Sequence, residues 1–457
     1  MSDIQRVVEN GYCIGCGACA VQDPAIAIEV SPLGLPRAQL PRTADSDAVC
    51  PFAARKTEDD LSRELYSADL ANDARIGRHI GTYAGGVRDE AFREKSSSGG
   101  MVTWILLQLL ERGEIDGVVH VGRSAGSGYE YRVSETADDI VGNAKSRYYP
   151  VHFNEALSTV LDSGKSYAFV GVPCFVKAVR LLAAENARVR DVVKYCIAIF
   201  CGHMKSRSFS EMIALQQGVT PAALKYVDFR VKNRAAPANR YSNQVHFIDE
   251  DGALQSRPPV PTKDLHGMDW GLGYFKAPPC DWCDDIAGEV ADFSCGDAWL
   301  PEYVSDSLGT SVMITRNAVI DAILNDGRAS GVLALDDVDV GKIYESQAGN
   351  YRHRQEGLAV RLADAQRAGT WTPKKRIRPD SFKVDARRRA IYRHRQRLMS
   401  KSHSAFQAVR SGNKYLIFML KMLPYEVYYA ILNRRLVRGT GKILLQFVKY
   451  FKVRYKK

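Results

Sequence analysis

Apolar residues at Val102, Ile105, Leu106, Leu109 and Leu110 recur at three- and four-residue intervals, the spacing of one helix face, and Gly113-Glu114-Ile115-Asp116-Gly117 ends that pattern. A strand then opens at Val118-Val119-His120-Val121. Ser166 to Val172 is a nearly unbroken apolar run, which predicts a buried strand stopping at Pro173-Cys174, and Val176, Val179 and Leu182 continue as a helix. Asp191 to Phe200 predicts another strand, stopping at Cys201-Gly202. This alternation predicts an α/β domain with a mixed sheet over residues 75–345. Further on, Asp385 to Arg397 suits a helix that is positive nearly all round. Tyr415 to Leu420 and Tyr425 to Leu432 are apolar, but Lys421, Pro424 and Glu426 interrupt them, and a membrane-spanning helix needs about 20 mostly apolar residues. The expectation is a helical extension over residues 374–457 with no spanning segment.

Composition changes this picture in one respect. A chain of 457 residues, 46% hydrophobic and 25% charged, is neither disordered, collagen-like nor a small disulfide-stapled domain. Its net charge of +11 is unevenly spread. Residues 374–457 carry 24 Lys and Arg against 3 Asp and Glu, whereas the preceding residues carry 39 against 49. An acidic body thus bears a basic extension, and the two need separate explanations. No apolar stretch precedes the first cysteines, so no secretory signal is visible and a cytoplasmic chain is expected. Ten cysteines in a reducing compartment read as metal ligands, catalytic groups or core residues.

Their spacing discriminates. Cys13-x2-Cys16-x2-Cys19 followed by Cys50-Pro51 suits a 4Fe-4S cluster in a ferredoxin-like segment over residues 1–60: three thiolates wrap one corner, and Gly15 and Gly17 permit the tight loop. With only one such run, Cys50 completes the same site. Zinc, which more often uses separated Cys-x2-Cys pairs, is the competing reading. Cys280-x2-Cys283 forms a second compact pair, and Cys174 and Cys201 stand where two strands end, the place where α/β sheets gather ligands. These four make a second candidate cluster site, with Cys295 as a substitute because Gly296 allows a sharp turn there; Cys196, inside its strand, reads as a buried structural thiol.

Ser96-Ser97-Ser98-Gly99-Gly100 precedes the first predicted helix, where a serine cap and free N–H groups suit either plain capping or phosphate binding. Lys145-Ser146-Arg147-Tyr148-Tyr149 offers cations, a hydroxyl and aromatics that could clamp a dinucleotide or form a solvated turn. His79, His120, His203 and His266 are candidate proton donors, though a lone histidine is more often structural, and none is selected.

In this order, the cysteine run, Ser-Ser-Gly-Gly, Lys-Ser-Arg-Tyr, Val-Gly-Val-Pro-Cys, Phe-Cys-Gly, Cys-x2-Cys-Asp-Asp and Ala-Asp-Phe-Ser-Cys-Gly-Asp resemble the family of beta subunits of coenzyme F420-reducing hydrogenases and dehydrogenases, over residues 8–305. The resemblance implies an iron–sulfur flavoprotein oxidoreductase with FAD in its α/β domain. It puts Ser97, Ser98, Gly99, Gly100, Lys145, Ser146 and Tyr148 at the flavin. It also puts Cys174, Cys201, Cys280 and Cys283 at a second 4Fe-4S cluster beside that of Cys13, Cys16, Cys19 and Cys50. Arg147 and Cys295 depart from it, standing where a lysine and an aliphatic residue are expected.

Flavin handles two electrons and a cluster one, so the pair would link a small-molecule substrate to a redox partner such as ferredoxin or a reductase. One alternative is an electron-transfer subunit serving a partner enzyme, including one of membrane-associated polysaccharide assembly; another is a non-redox, metal-stabilised scaffold. The basic extension suits a segment lying on an anionic membrane surface. Docking onto an acidic partner or onto the acidic body competes with that, and nucleic acid comes last because no recognition motif accompanies the charge.

Overall fold

The computed structural model describes residues 2–41, 46–410, 414–434 and 436–454. Its centre is an eight-stranded sheet of β1 (Gly81–Val87), β2 (Gly117–Arg123), β3 (Tyr129–Ser134), β4 (Tyr167–Gly171), β5 (Val193–Ile199), β6 (Phe293–Asp297), β7 (Ser311–Thr315) and β8 (Leu333–Asp337). The spatial order is β8-β1-β7-β6-β5-β4-β2-β3. Strands β2, β4, β5 and β6 run parallel, and the outer strands pair antiparallel. The expected mixed sheet is thus present.

The parallel strands read as apolar runs because both of their faces are covered. Helices α1 (Met101–Glu111) and α2 (Pro173–Glu185) take opposite faces of the sheet. On one, α1 packs on Val118, Ala168, Val170 and Ile197. On the other, α2 and the N-terminal segment pack on Val119, Phe169, Cys196 and Ala198. Cys196 is therefore a core residue.

Three sequence expectations change at element boundaries. Residues Ala187–Val192 are helical, their N-terminus capped by the Asn186 side chain accepting the Arg188 N–H, so the strand expected from Asp191 begins at Val193. No serine caps α1; Gly100 holds that position with φ of 80°. The Tyr415 and Tyr425 runs are one helix, with Pro424 inside it, and among the described residues it is the single helix long and apolar enough to cross a membrane, though a third of it is buried in the protein.

The extension continues as α3 (Ala386–Gln407), α4 (Tyr415–Leu432) and α5 (Leu436–Arg454). Its root is fastened to the acidic body. Arg376 makes two 2.7 Å contacts with Glu289 and one of 3.0 Å with Asp59, while Lys374 donates to the Arg55 carbonyl. Arg393 grips Asp364 and Arg410 grips Glu211 in the same two-pronged way. Part of the basic excess is thus matched by the body, one of the readings the charge pattern left open.

Candidate functional site

Cys13, Cys16, Cys19 and Cys50 line one small cavity, closed by Val7, Ile14, Ala38 and Phe52. The loop that gathers them turns through left-handed glycines, with φ of 66° at Gly15 and 94° at Gly17. A Cβ would lie 2.3 Å from the Pro36 carbonyl oxygen at Gly15 and 2.7 Å from Asn154 Oδ1 at Gly17, so no larger residue fits. Backbone N–H groups of Gly15, Ala18, Ala20, Phe52 and Ala53 face the sulfurs. Burial, then the neighbouring thiols, push Cys19 up to about 12. Cys50 is likewise raised to about 12, chiefly by burial. Thiols raised in this way stay protonated near neutral pH, and a cation among them would favour the thiolates.

The second set is built from the sheet. Cys174 follows β4 at the start of α2, Cys201 follows the adjacent β5, and the turn Pro278–Trp282 brings Cys280 with Cys283 beside them. The four line a second small cavity together with Ile14, Phe52, Pro173, Met204 and Arg354. The Met204 N–H donates to Cys280 Sγ at 3.3 Å. Arg354 is 1% exposed and donates to the carbonyls of Cys201, Gly202 and Cys280 at 3.3, 2.8 and 3.3 Å. Burial by itself would lower the Arg354 pKa, but the sulfurs of Cys283, Cys201, Cys280 and Cys174 outweigh it and hold the guanidinium above its ordinary value.

Among the described residues, no three His, Cys, Asp or Glu side chains converge closely enough to hold a single ion. Zinc would need its thiolates about 3.8 Å apart, at about 2.3 Å from the metal. The four cysteines of each set line one common small cavity. Cys295 joins neither quartet: Phe293–Asp297 is an extended central strand and not a turn, and Cys295 lines a third cavity.

That third cavity is a cleft of about 240 Å³ at the carboxyl ends of the parallel strands, against about 10 and 20 Å³ at the cysteine sites, so it alone of the three has room for an organic group. A larger hollow of about 600 Å³, walled by Ser127, Lys225 and Arg410, touches no cysteine and none of the residues expected at the flavin. Ser97, Ser98, Gly100, Lys145, Ser146 and Tyr148 line the cleft. Gly99 lies beneath it, where a Cβ would strike the Gly85 carbonyl oxygen at 2.5 Å. The two segments are joined directly, Ser97 Oγ accepting the Ser146 N–H at 2.9 Å. Each holds a non-glycine residue in left-handed backbone, Ser98 with φ of 49° and Lys145 with φ of 81°, a strain typical of binding sites. Ser98 Oγ donates to the Thr310 carbonyl, and Lys145 pairs with Asp228 at 2.8 Å.

Arg147, one of the departures, lies over the Tyr129 ring in the cleft wall, and its buried Nε and Nη1 have no hydrogen-bond partner. Orphaned cationic donors in a cleft suit an acceptor-rich or anionic ligand such as a flavin dinucleotide. Two further wall residues stand out: Trp270, which sequence reasoning missed, and His203, which it named among four histidines without selecting it. His203 stacks on Trp270 with ring centroids 4.4 Å apart, and its buried Nε2 is likewise unpartnered. The available signal was its place two residues after Cys201 at a strand end. Among the other histidines, His120 bonds Ser134 at 2.8 Å, His266 bonds Tyr415 and Glu426, and His79 contacts the Gly77 carbonyl.

The three cavities share walls. Ile14 and Phe52 line both cysteine cavities, and Cys201 and Met204 line both the second cavity and the cleft. Cys16 of the first quartet is near enough to raise the pKa of Cys174 in the second, after burial and the nearer cysteines.

A mixed-sheet α/β protein with a strand-end cleft beside two cysteine cages is the class these observations define. The N-terminal domain of the coenzyme F420 hydrogenase/dehydrogenase beta subunit matches residues 82–158 and the C-terminal domain matches residues 164–340, more than half of the chain together. The chain belongs to that family. It is 23% identical over 377 residues to a subunit of the F(420)H(2) dehydrogenase of Methanosarcina mazei, covering 77% of this chain and 94% of the relative. The coenzyme F420 hydrogenase subunit beta of Methanothermobacter thermautotrophicus is 23% identical over 265 residues, 55% of this chain and 82% of that one. A coenzyme F420-dependent sulfite reductase of Methanocaldococcus jannaschii is 25% identical over 350 residues, 74% of this chain and 49% of the enzyme. Among solved structures, a chain of the F420-reducing hydrogenase complex from Methanosarcina barkeri matches with a TM-score of 0.50 and 19% identity, covering 68% of this chain and 100% of that one, which is a likeness of fold.

Proposed function

We propose that this protein is an iron–sulfur flavoprotein oxidoreductase. Cys13, Cys16, Cys19 and Cys50 would hold one 4Fe-4S cluster, and Cys174, Cys201, Cys280 and Cys283 a second. FAD would occupy the cleft against Ser97, Ser98, Gly99, Gly100, Lys145, Ser146 and Tyr148, with Arg147 supplying its unpartnered donors. The observation that carries this reading is the shared walls: one layer of side chains separates each cavity from the next. When bound, these groups supply exchange between two-electron and one-electron donors.

The chain's own residues have separate tasks. Ile14 and Phe52 keep water from between the two cysteine cages. Arg354 offsets the negative charge of four thiolates, to which Asp285 in the same cavity wall adds. His203 and Trp270 form the cleft wall that faces an incoming small molecule, with the His203 Nε2 free to exchange a hydrogen bond with it.

A second reading is an electron-transfer subunit, supported by the relatives, which are named as subunits. Titrating anaerobically purified protein with a reductant and candidate acceptors separates the two: a reductase turns over a small molecule alone, and a subunit does so only with its partner protein, such as ferredoxin or a reductase. Zinc without acid-labile sulfide would overturn both and leave a metal-stabilised scaffold.

A further inference from the structure

Helix α4 buries Tyr415, Phe418, Met419, Met422 and Ala430 against the body. Its opposite side carries Ile417, Leu420, Tyr428 and Ile431, spaced so that at 3.6 residues per turn they fall on one stripe. Helix α5 repeats the arrangement, burying Ile443 and Tyr450 and exposing Leu444, Leu445, Val448 and Phe451. The two helices touch through Tyr415 and Tyr450, whose ring centroids are 5.3 Å apart. These eight outward residues are 41–67% exposed, and they make up eight of the fourteen large hydrophobics exposed among the described residues. So dense a concentration in the last two helices marks an interaction surface.

Charge identifies what covers it. Lys414, Lys421, Arg434 and Lys452 are exposed on the same two helices and their ends, and the extension as a whole carries 24 cations against 3 anions. A second copy would bring two strongly positive extensions together, and a nucleic acid has no use for the apolar stripes. An anionic bilayer meets both features, taking the stripes into its interface and the cations at its headgroups. The helix does not cross the bilayer, because Glu426 is buried beneath it, accepting hydrogen bonds from Tyr274 and from His266 at 2.8 Å, and pins α4 to the body. We propose that α4 and α5 together form a docking surface that lays the protein flat on an anionic membrane.

Co-sedimentation of the full chain with vesicles tests this. Vesicles of phosphatidylglycerol and phosphatidylcholine should pellet the protein at low salt, and pure phosphatidylcholine vesicles should not. Leu420→Glu with Leu444→Glu should weaken binding at least tenfold while far-UV circular dichroism stays unchanged. Lys421→Glu with Lys452→Glu should weaken it and flatten its salt dependence. Equal sedimentation of native protein and the leucine variant overturns the proposal. So does failure to bind anionic vesicles, or a concentration-dependent dimer that the leucine variant abolishes.

Discussion

Arg354 is the residue whose position says most about the site. A buried guanidinium among four sulfurs, hydrogen-bonded only to carbonyls, stabilises whichever state there carries more negative charge. Arg354→Gln should therefore lower the midpoint potential of the second cluster and leave the first unchanged, read by redox titration followed by electron paramagnetic resonance; an unmoved midpoint would refute the role. Cys280→Ser should cost about half of the bound iron, whereas Cys295→Ser should cost none, since Cys295 lines the cleft and not a cysteine cage. His120 is held neutral, burial pushing its pKa down to about 4. Unfolding releases it to take a proton at its ordinary pKa of 6.5, so its share of stability is lost as pH falls from about 6.5 towards 4. His120→Asn should flatten the fall of the melting temperature over that window. That Cys13, Cys16 and Cys19 lie together was legible at this scale because their spacing is local, whereas Cys50 reaches their cavity from a separate stretch of chain. Arg354 and Trp270 were not legible, and His203 was named without being selected, because they meet the cysteines or the cleft only through long-range packing.

At the scale of elements, the buried strands were legible because covering both sheet faces writes an apolar run into the sequence. Boundaries followed local competition instead. The Asn186 cap claims Asp191 for a helix, and Gly100 displaces the serines, whose hydroxyls are committed to Thr310 and Ser146. Helix α4 shows why its interruptions misled: Glu426 is not a solvent-facing break but a buried acceptor for Tyr274 and His266. Glu426→Leu should leave both partners unsatisfied, at a cost of about 1–3 kcal/mol for each buried group. Thermal unfolding with limited proteolysis should show a lower melting temperature and earlier release of the extension. An unchanged melting temperature would mean that α4 is held by its apolar face alone.

For the molecule as a whole, the decisive feature is the sequence of three cavities with common walls, which no linear motif announces. The strand ends that place Cys174 and Cys201 come from the middle of the chain, Ile14 and Phe52 from its beginning, and Arg354 from the helix Ala348–Arg354. Only the assembled fold sets them within one side chain of one another. The most direct test is to purify the protein without oxygen and to quantify iron, acid-labile sulfide and extractable flavin per chain. Two cages and one cleft require about eight iron, about eight sulfide and one FAD, in a yellow-brown protein bleached by dithionite. A colourless preparation, or one holding zinc and no sulfide, would contradict it.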